Sequence, residues 1–316
     1  MSQEWAIATY GLTKRFEGHI AVNEIDLSVK AGEVYGLIGP NGAGKTTLIR
    51  MLATAEKPTT GEIYLNGDRL LRDDSNPLLK QRIGYLPDDF PLYDDLTVWD
   101  YLDYFARLYC LKQPSRHRRL YEVLELVQLE TKRKSIISTL SRGMKQRLSL
   151  ARTIIHEPIL LLLDEPVSGL DPLARQQFRQ IIKILQEAGM TILISSHVLS
   201  DLAELCTSVG IMELGFLVES ASLKDLYQRL SRQQIILGTL GKMEVLQQKL
   251  RQNPLVETWE MIPQSNRLKV NFTGGESDCA ELLRSLIIAD IPLTEFYCSQ
   301  EDLETIFLKL GHQQTS

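Results

Sequence analysis

The stretch Gly39-Pro40-Asn41-Gly42-Ala43-Gly44-Lys45-Thr46-Thr47 decides how the rest of the chain is read. It fits the pattern G-x-x-x-x-G-K-[ST], and phosphate chemistry explains the spacing. Gly39, Gly42 and Gly44 let the backbone curl so that successive N–H groups face one concavity, a shape that binds anionic oxygens. A helix opening directly afterwards adds the positive end of its dipole. Lys45 can reach the β- and γ-phosphates of a nucleotide as a point charge, and the Thr46 hydroxyl can ligate Mg²⁺. Pro40, Asn41, Ala43 and Thr47 complete the expected nucleotide-binding surface. A chance match is expected in roughly one chain in a hundred of this length. Here the motif also sits where the mechanism needs it, after the apolar run Val34–Ile38 and before a helical pattern, Thr46–Ala53.

Working outward, residues 7–66 read as short strands around the loop. Ala21–Val29 alternates apolar and polar residues, which predicts a strand with Val22, Ile25, Leu27 and Val29 in the core. Gly61–Gly67 brackets another strand. From Thr97 to about Leu129 the pattern turns helical: Val98, Tyr101, Leu102 and Phe105 recur at spacings of three and four, as do Leu120, Val123, Leu124 and Val127. Pro114-Ser115 marks the break between these two helices. This helical insert precedes a second apolar run, Ile159–Leu163, which ends in Asp164-Glu165.

A buried strand delivering two acids at its carboxyl end is expected beside the phosphate loop of an open α/β sheet. Asp164 would hold the Mg²⁺ shell, and Glu165 would polarise the attacking water as general base. Beyond them the pattern predicts a helix over Leu173–Glu187 and a strand over Thr191–Ser195. A helix over Val198–Leu205 and two short strands to Ser220 follow. Strands alternating with helices imply a largely parallel sheet covered on both faces.

At 316 residues there is room for one large α/β domain and a smaller one. The expected division is 1–220, with the helical insert at about 93–156, and 221–316. Past Ser222 there is no glycine-rich loop. The pattern there predicts strand (Gln234–Leu240), helix (Lys242–Gln252), strands (Val256–Met261 and Arg267–Phe272), helix (Glu276–Ala289) and strand (Leu293–Cys298). A final helix would carry Leu303, Ile306, Phe307 and Leu310 on one stripe. That β-α-β-β-α-β order suggests a small ferredoxin-like α+β sandwich.

The net charge of −5 gives no global attraction to nucleic acid or acidic lipid. The basic cluster Arg116, Arg118, Arg119, Lys132, Arg133 and Lys134 reads first as a solvated face. Second, it reads as a surface for the cytoplasmic loops of a membrane partner or for anionic lipid. Cys110, Cys206, Cys279 and Cys298 form no C-x-x-C pair and are expected to be reduced core thiols of a cytoplasmic protein. Met1–Phe16 lacks the apolar stretch of a signal peptide, and no apolar run approaches the ~20 residues that span a bilayer.

With these elements in place, residues 1–220 resemble the ATP-binding subunit of an ABC transporter, a P-loop NTPase domain with a helical insert. Leu140-Ser141-Arg142-Gly143-Met144-Lys145-Gln146-Arg147 looks like the family signature. Ser168-Gly169-Leu170-Asp171 follows the two acids as the family's D-loop does, and Ser195-Ser196-His197 ends the next strand as its switch histidine does. Phe16 sits where the family places an adenine-stacking aromatic.

The resemblance implies ATP and Mg²⁺ as cofactors and a head-to-tail pair of subunits, identical or merely alike. Ser141 and the Gly143 amide would meet the γ-phosphate held by the partner's loop, and Asp171 would shape the interface. His197 would hold the water geometry beside the catalytic Glu165 and Lys45. Two positions depart from the family pattern. Arg142 replaces a glycine of the signature, and Asp88, at the end of Ile83-Gly84-Tyr85-Leu86-Pro87-Asp88, stands where glutamine is usual. Asp88 could still touch the metal or the water, as an anion.

Both departures, with Pro91–Val98, resemble the subgroup serving ABC-2-type permeases, which mostly export. The implied place is cytoplasmic, peripheral on the inner face of the cell membrane through that integral membrane permease. No nucleic-acid partner is expected. The alternative is a soluble ABC-type ATPase acting on nucleic acid or ribosomes. Such proteins usually show fused cassettes, long coiled coils or cysteine-rich modules. A GTPase switch would need an N-K-x-D element, which is absent.

Overall fold

A computed structural model describes residues 5–70, 77–197, 202, 204–230, 233–263 and 265–300. Contacts divide the chain into two units, 1–223 and 224–316.

In the first unit, β1 (Trp5–Phe16), β2 (His19–Ile25), β3 (Ser28–Lys30), β5 (Thr60–Leu65) and β6 (Asp68–Arg69) form an antiparallel sheet, with order β2-β1-β5-β6 and β3 also on β1. The second sheet runs β11 (Phe216–Ser222), β10 (Ser208–Glu213), β4 (Val34–Ile38), β9 (Thr191–Ser196), β8 (Leu160–Leu163) and β7 (Ile83–Leu86). It is parallel except at β10–β11. The largely parallel sheet expected from the sequence is therefore one of two, because the N-terminal strands pair among themselves. The alternating run Ala21–Val29 is broken between β2 and β3, although Val22, Ile25, Leu27 and Val29 are all buried. Ile159 lies before β8 and is 44% exposed, so that buried run begins at Leu160.

Helix α1 (Lys45–Leu52) buries Leu48, Ile49, Met51 and Leu52. They join one apolar cluster with Ile7 and Leu12 of β1, Val22 of β2, Tyr35 of β4 and Leu160 of β8. This core anchors the phosphate loop from both sheets. The short α2 (Pro77–Lys80) precedes β7, and the insert then supplies α3 (Val98–Leu108), α4 (Ser115–Leu126) and α5 (Arg142–Ile154). The predicted stripes are buried at Val98, Tyr101, Leu102, Leu120, Val123, Leu124 and Val127, and half-buried at Phe105. Helix α6 (Pro172–Glu187) returns the chain to β9. The predicted helix over Val198–Leu205 lies largely outside the described residues. No helix among the described residues is long and apolar enough to cross a membrane.

Within the insert, three residues of the basic cluster are tied to acids: Arg116 Nε lies 2.8 Å from Asp103, and Arg118 and Arg119 each meet Glu122 at 3.3 Å. The cysteine expectation needs correcting. Cys206 and Cys279 are buried, but Cys110 and Cys298 are exposed. Cys110 follows the last turn of α3 with a positive φ of 61°, which turns its side chain out of the core.

From the unit boundary onward the elements are α7 (Leu223–Leu230), β12 (Gln233–Thr239), α8 (Met243–Gln252), β13 (Val256–Met261), β14 (Arg267–Phe272), α9 (Glu276–Ile288) and β15 (Leu293–Gln300). Their sheet has order β13-β14-β12-β15, antiparallel throughout. That order, with α8 and α9 as crossovers, is the split β-α-β-β-α-β arrangement. Its separate core includes Ile235, Leu237, Leu246, Val270, Phe272 and Leu282. The predicted stripe Leu303, Ile306, Phe307 and Leu310 lies outside the described residues.

Candidate functional site

Three parallel strands deliver the site. β4 runs beside β9, and β9 runs beside β8, so their carboxyl ends open on one edge. The phosphate loop leaves β4, Asp164-Glu165 leave β8, and His197 leaves β9. The acid pair lies beside the phosphate loop, as Thr46 and Asp164 show, although β9 stands between the two strands. The gap is bridged by Ser195, a residue given no role from sequence. Its hydroxyl donates to Asp164 Oδ1 at 2.7 Å and accepts from the Glu165 N–H at 2.9 Å. A polar residue ending an otherwise apolar buried strand was the signal available.

The loop's shape follows from its glycines at two positions. A β-carbon on Gly39 would lie 2.3 Å from the Met212 carbonyl, and one on Gly44, at φ +101, would lie 2.2 Å from the Ala21 carbonyl. Only glycine allows the strand ends to close so tightly on the loop. Gly44 is the N-cap of α1 and offers no side-chain cap, and the first turn of α1 carries no acid. By contrast α3, α5 and α6 are capped by Thr97, Ser141 and Asp171. The open N–H groups of α1 and its dipole thus remain for an anion.

Lys45 is 5% exposed. Its ammonium donates to the Gly39 carbonyl at 2.7 Å and the Pro40 carbonyl at 3.2 Å, and lies 3.4 Å from Glu165 Oε1. The other carboxylate oxygen of Glu165, Oε2, is 2.7 Å from His197 Nδ1 and accepts from the His197 N–H at 3.3 Å. Glu165 is also held at φ +47, a left-handed conformation that a non-glycine residue adopts only under constraint. One carboxylate is therefore fixed between Lys45 and His197, as a water-positioning group requires.

Thr46 Oγ1 donates to Asp164 Oδ1 at 3.1 Å. Asp164 is buried, and its Oδ2 has no hydrogen-bond partner. Burial raises the Asp164 carboxyl above its ordinary value, against the hydrogen bonds from Ser195 and Thr46. A hydroxyl and a carboxylate with an orphaned oxygen match the sparse protein ligation of Mg²⁺, which otherwise relies on water and phosphate. Among the described residues no group of three or more His, Cys, Asp or Glu could hold a metal by itself. Asp88 is exposed. Its carboxyl is raised by partial desolvation and by the charges of Glu165 and Asp89, and lowered by Arg142 and His197.

The remaining expected residues form a second group. Ser141 caps α5 by accepting from the Met144 N–H at 3.3 Å, and Asp171 caps α6 by accepting from the Ala174 N–H at 2.9 Å. Gly143 packs so closely on Ala174 that a β-carbon would stand 2.7 Å from it. Among the described residues, no hydrogen bond or ion pair joins Ser141, Gly143 or Asp171 to Lys45 or Thr46. Phe16 is 40% exposed and stacks on His19 at 5.5 Å, with Lys14 Nζ 4.8 Å from its ring centre. An accessible aromatic face suits a nucleobase.

Residues 22–168 match the family model described as "ABC transporter". An ABC transporter ATP-binding protein of Bacillus subtilis, YcbN, is 34% identical over 311 residues, covering 97% of each chain. The bacitracin transport ATP-binding protein BcrA of Bacillus licheniformis is 34% identical over 306 residues, covering 96% of each. The dimeric structure of a bacterial ABC transporter cassette superposes with a TM-score of 0.63 at 26% identity, over 69% of this chain and 98% of that one. Likeness along the whole length to these relatives, together with a phosphate loop, acid pair and histidine on adjacent strand ends, places the chain in a family: it belongs to the ABC transporter family as an ATP-binding, ATP-hydrolysing subunit.

Proposed function

We propose that two copies of this chain, or one copy with a like subunit, close head to tail around ATP and drive export through a separate ABC-2-type membrane permease. The observation that carries this reading is the division of the site. Lys45, Thr46, Asp164, Glu165 and His197 are joined to one another through Ser195 and Glu165, whereas Ser141, Gly143 and Asp171 cap and pack a different pair of helix starts. Each group then serves as half of a site, completed by the partner's other half. Hydrolysis of a phosphoanhydride depends mostly on positioning and charge neutralisation, so splitting the site couples the chemistry to closure.

In the closed pair, Lys45 exchanges its carbonyl partners and Glu165 for the phosphate oxygens. The Glu165 carboxylate, released on that side, accepts a proton from the attacking water while His197 keeps its other oxygen in place. Phe16 holds the adenine. Ser141 and the Gly143 N–H approach the γ-phosphate of the nucleotide on the partner, and Asp171 shapes the seam. Thr46 and Asp164 would hold Mg²⁺, and Asp88 would add negative charge nearby. When bound, the ion neutralises charge on the β- and γ-phosphates.

The match to a bacitracin transport protein supports export over import, transport over nucleic-acid work, and a position on the cytoplasmic face of the membrane beside a permease. A pulldown of the tagged chain from detergent-solubilised membranes tests the reading. Recovery of a polytopic partner is expected, and recovery of only ribosomes or nucleic acid would sink it.

A further inference from the structure

Asp88 follows β7 and Arg142 opens α5, yet both line one hollow of about 270 Å³, together with Asp94 and Lys145. Lys145 is engaged elsewhere, 2.9 Å from Asp94. The Arg142 guanidinium lies flat on Gly169, where a β-carbon would stand 2.5–2.6 Å from its Nη2, Cζ and Nη1. Nη2 donates to the Ser168 carbonyl at 3.1 Å. The Ser168 N–H in turn donates to the Glu165 carbonyl at 3.1 Å. One side chain therefore reaches from the first turn of α5 to the turn that carries Glu165.

We propose that Asp88 and Arg142, the two departures from the family pattern, are a matched charge pair, and that Arg142 is a positioning residue for Glu165 of its own subunit. An acid at 88 adds negative charge beside Asp164 and Glu165, where a neutral amide would add none. The added charge opposes both those carboxylates and an incoming nucleotide phosphate. Arg142 returns a positive charge to the same place. Arginine also suits the second task, since its planar fork lies on the glycine and donates to the carbonyl at once. Glycine at 142 would do neither. The direction of the Asp88 shift agrees, because Arg142 pulls that carboxyl down against partial desolvation and its acidic neighbours. The inference rests on Glu165 as the water-activating base.

The test compares the full-length parent with Asp88→Asn, Arg142→Gln and the double variant, using ATP turnover, affinity for a fluorescent ATP analogue, and unfolding temperature without nucleotide. Each single variant is expected to lower kcat about tenfold with KM changed less than about twofold, and the double variant to stay near tenfold, because the charge is rebalanced while the seat on Gly169 is still lost. Arg142→Lys, which keeps the charge but loses the flat seat on Gly169, should fall between parent and Arg142→Gln. Losses that multiply to about a hundredfold in the double variant would overturn the pairing. A rise in KM with kcat intact for Arg142→Gln would overturn the positioning role. A parent without turnover would instead sink the ATPase assignment. The four unfolding temperatures would still decide the pairing, with coupled shifts supporting it and additive shifts refuting it.

Discussion

The Ser195 hydroxyl donates to Asp164 Oδ1 at 2.7 Å while accepting from the N–H of Glu165, so one side chain of the intervening strand aligns both acids. Asp164 nevertheless keeps a buried oxygen without a partner. The site thus tolerates a carboxylate that would be better solvated elsewhere, which is the usual exchange of stability for function.

That exchange is measurable through pH. Burial raises the Asp164 carboxyl above its ordinary 3.8. The folded protein then keeps this proton to higher pH than the unfolded chain does, so the group favours folding at low pH and that benefit is lost as pH rises through the folded value. Asp164→Asn should unfold about 2–4 °C above the parent at pH 7 without nucleotide. The gap should close on acidification toward 3.8. Thermal melts across that range check it, and a gap that widens at low pH would refute it. The same variant should lose Mg²⁺-dependent turnover.

Glu165→Gln keeps the shape of a side chain held between Lys45 and His197 but cannot take a proton. Turnover should fall at least about a hundredfold. ATP binding should persist, and an ATP-bound dimer should accumulate. Phosphate release and size-exclusion chromatography with ATP read both effects, and hydrolysis at the parent rate would remove Glu165 as base.

Gly44 and Gly42 separate two costs of adding a methyl group to the loop. At Gly42, φ is +83 and nothing stands within 4 Å of the new carbon, so Gly42→Ala should cost about 1–2 kcal/mol of backbone strain. Gly44→Ala adds a collision with the Ala21 carbonyl at 2.2 Å. It should exceed about 3 kcal/mol and abolish nucleotide binding. Equal melting shifts for the two variants would contradict this geometry.

Phe272 is fully buried in the core of the second unit, apart from the cluster around α1. Phe272→Ala should destabilise that unit by about 3–5 kcal/mol. Calorimetry should show an earlier transition for it, with ATP turnover retained within about twofold. Simultaneous loss of both would show that the two units unfold together.

Local chemistry alone determined the phosphate loop, the acid pair and the helical stripes of the insert. A loop that must cradle phosphate needs glycine, lysine and threonine at fixed spacing, and a helix must repeat its apolar face every three to four residues. The tertiary structure decided the order of strands. Val34–Ile38, Leu160–Leu163 and Thr191–Ser196 all read as short buried runs, and nothing in their periodicity says which lies in the middle. Only the sheet places β9 there and so gives Ser195 its work. The seat of Arg142 on Gly169 was decided in the same way, because it depends on residues distant in sequence that the fold brings within a few ångströms.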